Sequence, residues 1–331
     1  MKNTLAYFTK KVLLFTSPIL LVVAAYFIMD PFHVIYKYDK YGSNYLKTYN
    51  RNRISTEVFL NHNPEFKFKS FVFGSSRSSA FQTGEWAKFI GDPNPYHFDA
   101  FNDNISGISG KMKYIKKQGN KIENAIIVID GDTFSEQFEE SESIVHLKDY
   151  RLSGQSFLAY HLTFFKAFFK KQYFISYFDL KIFKTFRPYM DEFFKFKYFY
   201  TDPYNDFLFP ENIADLKADS LNYYKKPEFL NRLQNPPMES VNIKDHHLAD
   251  LKEISEILKV DNTKYKVIIS PLFDQRDFNP VDLEVLQIYF GKENVYNYSG
   301  KNKYTNDISN YYEASHFKPV VGTAILSEVY K

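Results

Sequence analysis

The 331-residue chain contains no cysteine. That removes disulfides, thiolate nucleophiles and cysteine-based metal sites together, and leaves the compartment to be argued from topology. No long lysine and arginine block interleaves with a nucleic-acid motif, and the formal net charge is only +3. Nucleic-acid binding is therefore set aside. Internal repeats and low-complexity tracts are lacking too, and a hydrophobic share of 44% rules out disorder as a global description.

What the chain does have is aromatic side chains: 35 Phe and 27 Tyr, within an aromatic share of 19%. These supply large groups for cores and interfaces. The length suits one large α/β domain with an insertion, or two small domains. Val12 to Met29 is an uncharged run of 18 residues that includes Pro18, with Lys2, Lys10 and Lys11 before it and Asp30 after it. A run of that length is near the minimum for crossing the hydrocarbon layer and predicts a transmembrane helix. By the positive-inside rule the leading lysines keep the N-terminus cytoplasmic, although Lys37 and Lys40 follow the span. The expectation is a single-pass inner-membrane protein whose first partner is the bilayer and whose main domain is extracytoplasmic. Val23-Ala24-Ala25 offers the competing reading of a cleaved signal peptide. Continuation of the run through Tyr26-Phe27-Ile28-Met29 favours an uncleaved anchor over residues 1–30.

Residues 31–66 are rich in Tyr, Asn and Lys with poor periodicity, and read as a stalk and lead-in. Arg51 and Arg53 there are expected on a solvated surface, with lipid or polymer phosphates as the alternative contact. Five short apolar runs have the length and flanks of buried parallel strands: Ser70–Phe73, Tyr96–Phe101, Ala125–Ile129, Tyr265–Ile269 and Asn294–Tyr298. Helical patterns fall at Gly110–Gln118, His247–Leu258, Pro280–Tyr289 and Lys318–Tyr330. The βαβα alternation predicts a doubly wound, mostly parallel five-stranded sheet with right-handed crossovers, in one domain over residues 67–331. At about 139–236 the alternation gives way to an aromatic, Lys-rich stretch such as Phe164-Phe165-Lys166-Ala167-Phe168-Phe169, expected as a largely helical insertion that ends near Pro236-Pro237. That composition suits a surface lying on the membrane or on a partner, or equally a lid on the main domain.

Two motifs carry chemistry. The first strand ends in Gly74-Ser75-Ser76-Arg77-Ser78, a small-residue turn where α/β folds place active sites, though such turns also serve as helix caps. Near the other end, Glu313-Ala314-Ser315-His316 sets an acid three residues before a histidine, a spacing that suits either an oriented general base or a plain surface pair. Arg77, Asp130 and Asp132 are candidate substrate-binding residues, with a salt bridge across the cleft as the other role of Arg77. Asp130, Asp132 and His97 lack metal-ligand spacing, so no metal is expected. His246-His247 reads as capping or exposure at a helix start, because adjacent helical residues point apart.

Taken together, Gly74-Ser75-Ser76, the stretch from Asn102 to Gly107, and Glu313-x-x-His316 resemble, in the right order, the SGNH (GDSL-type) hydrolase family. With the anchor, the chain looks like the branch that works beside membrane-bound O-acyltransferases (MBOAT) in teichoic-acid D-alanylation and alginate acetylation. The likeness covers most of residues 70–135 and 245–331, and implies a flavodoxin-like sheet without a cofactor. It assigns Ser76 as nucleophile, His316 as general base and Glu313 as its orienting acid, with the backbone amides of Ser76 and Gly107 as the oxyanion hole. Ser75 stands where the family usually has Asp, Glu313 where Asp is commoner, and Asp130-Gly131-Asp132 where an Asn is usual. The implied activity is serine esterase or O-acyltransferase chemistry on a cell-surface glycan, with an MBOAT protein as partner. The rival reading is a non-catalytic accessory protein that binds glycan or recruits the acyltransferase.

Overall fold

The computed structural model describes residues 2–38, 50–135, 144–190, 199–200, 203–230 and 232–331. The chain forms two compact units, Met1–Tyr49 with Ser156–Phe196, and Asn50–Gln155 with Lys197–Lys331. The expected insertion at 139–236 is thus divided between them.

The larger unit is built on five parallel strands: β1 (Ser70–Gly74), β2 (Tyr96–Asp99), β3 (Asn124–Ile129), β4 (Lys264–Ile269) and β5 (Val295–Asn297). Their order across the sheet is β2-β1-β3-β4-β5, the order of a common doubly wound arrangement. Phe71, Val72 and Phe73 are fully buried, and all of β3 is buried, because helices cover both faces of a parallel sheet. The helices of this unit include α2 (Arg51–Phe66), α3 (Thr83–Ile90), α4 (Ile105–Lys117), α7 (Asp245–Val260), α8 (Pro280–Phe290) and α9 (Pro319–Val329). Helix α4 begins five residues before the expected Gly110, since Asn104 accepts from the Gly107 amide and caps it there. β2 stops at Asp99, short of the expected Phe101, and Asn102 lies beyond it with a left-handed φ of 48°.

The expected stalk is a helix from Arg51 onward, and it packs on the sheet unit rather than standing clear of it. Arg51 and Arg53, expected at a solvated surface, are 0% and 6% exposed. The Arg51 guanidinium lies 2.6 Å from Asp99, and Arg53 pairs with Glu57 and Asp149. Burial works against the Asp99 carboxylate, but the charge and hydrogen bonds of Arg51, together with the charges of His97 and Lys111, outweigh it and hold the group below its ordinary pKa. Charged residues placed inward as matched pairs hide the helix from an apolar-periodicity reading.

In the smaller unit, α1 (Lys2–Met29) carries an apolar stretch, Ala6–Met29, long enough to cross a membrane, and almost none of it is buried. Asp30 ends the helix with a positive φ of 38°, and its carboxylate accepts from the amides of Val34, Ile35 and Tyr36 at 2.9 to 3.0 Å. Two helices, α5 (Phe157–Phe168) and α6 (Lys171–Phe183), belong to the same unit. Their rings meet the end of α1 at Tyr26–Phe165 (5.1 Å) and Tyr26–Phe168 (5.3 Å), and the chain after it at Phe32–Phe164 (5.7 Å).

Candidate active site

β1 ends at Gly74, whose φ of +148° and close approach to Val128 exclude a side chain: an added Cβ would lie 2.6 Å from the Val128 carbonyl oxygen. The chain then turns into a short 3-10 helix, Ser76–Ala80, at the carboxyl end of the sheet. On the far side of the sequence, strands Tyr311–Glu313 and His316–Phe317 form a small hairpin that presents the Glu-x-x-His segment. The two segments meet: Ser76 Oγ lies 2.7 Å from His316 Nε2. His316 Nδ1 hydrogen-bonds Glu313 Oε1, and Glu313 Oε2 accepts from the Ser315 amide at 2.8 Å.

The direction of this chain follows from the acid. Burial works against ionisation of Glu313, but bonds from His316 and Ser315 outweigh it and leave its pKa lowered. An ionised carboxylate only accepts, so Nδ1 carries the donated hydrogen and Nε2 is left to accept from Ser76. The Phe209 ring lies 4.4 Å from the imidazole, a neighbour for which the sequence carries no motif.

Ser76 and His316 open on a cleft of about 270 Å³ that Asn102, Arg77, Asp130 and Asp132 also line. Arg77 does not present an uncommitted charge to it. One guanidinium nitrogen is 2.8 Å from Asp130 and 2.9 Å from Asp132, and Nε donates to the Ser315 carbonyl at 3.3 Å. Arg77 therefore ties the turns after β1 and β3 to the histidine hairpin, the salt-bridge role rather than the anion-holding one. Asp130 and Asp132 are likewise engaged by Arg77. Behind them sits Glu239, 8% exposed. Burial first, then the Asp130 charge, pushes its carboxyl up to about 7. A Cβ at Gly131 would fall 2.4 Å from Glu239 Oε2, so a side chain there requires the Glu239 carboxyl to shift.

Gly107 takes a different part from the oxyanion role expected of it. Its amide donates to the Asn104 side chain at 3.0 Å, within the cap of α4. The need for glycine is steric, since a Cβ would meet Asp103 Oδ1 at 2.0 Å, and Asp103 is held by the buried Lys111 ammonium.

His97, weighed against metal binding, belongs to a second hydrogen-bonded chain. Its Nε2 is 2.8 Å from Ser78 Oγ and its Nδ1 is 3.2 Å from Asp206, which also accepts from the Thr83 amide and hydroxyl. Among the described residues no group of three or more His, Cys, Asp or Glu is placed to hold a metal ion. His247 caps α7, accepting from the Lys244 amide at 2.9 Å. Comparison with protein-family models and with curated proteins finds no match for this chain, so its functional reading rests on this geometry.

Proposed function

We propose that the protein is a membrane-anchored serine esterase or O-acyltransferase of the SGNH type, acting outside the cytoplasm on a cell-surface glycan or cell-wall polymer. The observation that carries the reading is the continuous Ser76–His316–Glu313 hydrogen-bonded chain opening on a cleft. The β2-β1-β3-β4-β5 order, which is that of flavodoxin-like sheets, supports the family resemblance, as does the serine turn at the end of β1. The apolar α1, with lysines at its N-terminal side, supports an N-in anchor.

Ser76 Oγ attacks the acyl carbonyl as His316 Nε2 takes its proton, giving a tetrahedral oxyanion at the Ser76 amide. On collapse the ester C–O bond breaks, and the leaving alkoxide recovers the proton from His316. The acyl-serine is then attacked by a sugar hydroxyl or water, whose proton passes to His316 and back to Ser76. Glu313 holds the ring and stabilises the imidazolium in both halves. A cleft of about 270 Å³ suits a small acyl group with the polymer lying across its mouth. An MBOAT-type O-acyltransferase is the proposed source of acyl groups.

A specific observation favours the accessory reading as the rival: two carboxylates stand where an amide donor is expected, and the Gly107 amide is occupied. The test is a serine-reactive fluorophosphonate probe together with p-nitrophenyl acetate turnover on the detergent-solubilised full chain. Labelling and turnover in the wild type, both abolished by Ser76→Ala and His316→Ala with circular dichroism unchanged, support the enzyme. A wild type inert in both assays, alone and with the acyltransferase present, transfers the assignment to the accessory role.

A further inference from the structure

The smaller unit carries an apolar surface that neither its own packing nor the proposed chemistry uses. Along α5 and its C-cap residue Phe169, Leu158, Leu162, Phe165 and Phe169 recur at positions i, i+4, i+7 and i+11, one face of a helix. Leu158 is 74% exposed, and Leu162 and Phe169 are also exposed. The opposite face, Tyr160, Phe164, Ala167 and Phe168, is the buried one. α6 repeats the pattern more weakly, with Ile175 and Ile182 seven residues apart and both exposed.

The stripe on α5 runs into α1. Phe165 lies 5.1 Å from Tyr26 and 6.2 Å from Phe27, and the next residues of α1, Phe27 and Ile28, are themselves exposed. The exposed apolar surface of the helix pair is thus continuous with that of the apolar helix at its carboxyl end. At about 1.5 Å per residue, the uncharged run Val12–Met29 spans about 27 Å, close to the roughly 30 Å of hydrocarbon, so with Lys10 and Lys11 at one headgroup layer the Met29 end lies near the other. Between residues 156 and 190 the charged side chains are Lys166, Lys170, Lys171, Lys181, Lys184 and Arg187 against the single acid Asp179, and Asp179 is paired with Arg187. Aromatic and aliphatic groups interleaved with long cationic stems suit the boundary between acyl chains and headgroups.

We propose that α5 and α6 form a monotopic element seated in the membrane interface beside α1, with Leu158, Leu162, Ile175 and Ile182 entering the acyl region and the lysines reaching headgroup phosphates. The occupant of this face is lipid. The inference rests on α1 being a membrane helix and not on the acyl-transfer reading. The chain passes between this unit and the sheet unit at three points, 49/50, 155/156 and 196/197.

The absence of cysteine makes the test direct. Leu158→Cys, Ile182→Cys, Leu21→Cys in α1 and Ile288→Cys on the exposed surface of α8 each take one nitroxide label in the full chain, reconstituted in phosphatidylcholine and phosphatidylglycerol bilayers. Power saturation then compares collision with oxygen, enriched in lipid, and with a water-soluble nickel chelate. The expected result is oxygen-dominated accessibility at 158 and 182, shallower than at 21, with nickel-dominated accessibility at 288. Nickel-dominated labels at 158 and 182 beside a lipid-embedded label at 21 overturn the proposal and leave the anchor intact. Labels at 158 and 182 shielded from both reagents mean that protein covers this face, and also overturn it. A nickel-dominated label at 21 removes the anchor and the proposal together, without touching the assignment of Ser76.

Discussion

Ser76 and Ser78 sit two residues apart on one turn, and each meets a histidine that an acid holds from behind. Ser76–His316–Glu313 stands at the edge of a cleft, with Ser76 half-buried and the His316 side chain 17% exposed. Ser78–His97–Asp206 lies inside the molecule, with Ser78 and His97 at 0% exposure. The hydroxyls differ too. Ser78 Oγ donates to the Ser75 carbonyl at 2.7 Å, which ties it to the backbone of its own turn, whereas the Ser76 hydroxyl faces an imidazole nitrogen that can take its proton. Under the proposed function, access for a carbonyl carbon and an acceptor for the proton separate the relay assigned to chemistry from the one assigned to bracing the turn.

The sharpest way to break this comparison is to remove each hydroxyl in turn. Ser76→Ala is expected to lower ester turnover by at least about 10³-fold and to abolish probe labelling, with thermal stability nearly unchanged. Ser78→Ala is expected to do the reverse: labelling persists, and stability falls by about 1–3 kcal/mol because His97 Nε2 loses a buried partner. Labelling lost in Ser78→Ala and retained in Ser76→Ala would exchange the two roles.

The acids give the next largest contrast. Glu313→Gln keeps the size of the side chain but favours the wrong imidazole tautomer, and is expected to reduce turnover by about 10²- to 10⁴-fold while the melting temperature stays put. Asp206→Asn weakens the bonds from the Thr83 amide and hydroxyl together with the His97 contact. Its expected mark is a lower melting temperature, by a few degrees for about 1–3 kcal/mol in a unit of this size, with the residual activity scaling with the folded fraction. Scanning calorimetry and turnover on the same preparations separate the two.

How much of this was legible in the sequence follows the same division. The parallel strands were readable because burial on both faces leaves uninterrupted apolar runs, as in Phe71-Val72-Phe73. Ser76, Glu313 and His316 were legible because each lies in a short local pattern, although 240 residues separate the serine from the histidine. The brace was not, since Asp206 is 109 residues from His97 and has no motif of its own. α2 was hidden by Arg51, Arg53 and Glu57, polar residues that point inward because each finds an opposite charge. Gly107 fits the family's spacing, but Asn104, three residues earlier, takes its amide for a cap, and spacing alone does not reveal such local competition. The aromatic stretch, read as a surface for membrane or partner or equally as a lid, did not say where the chain divides, because that is set by which rings meet Tyr26 and Phe32.

A third acid sharpens the comparison by its opposite shift. Glu313, bonded within the relay, is held below its ordinary pKa, whereas Glu239, buried behind Asp130 and Gly131, is raised to about 7. For Glu239 the unfolded chain ionises near the ordinary glutamate value while the folded chain resists. Folding therefore loses stability as pH rises from about 4.5 to about 7, and the penalty is constant above that. Partial solvent screening brings the expected size to about 2 kcal/mol. Glu313 contributes in the other sense, stabilising the fold above its unfolded pKa and losing that contribution as the solution is acidified. Glu239→Gln should accordingly raise denaturation midpoints at pH 8 and leave those at pH 4.5 unchanged. An equal gain at both pH values would mean that the carboxyl is already ionised in the folded protein at pH 4.5, and would remove Glu239 as a neutral group behind the cleft.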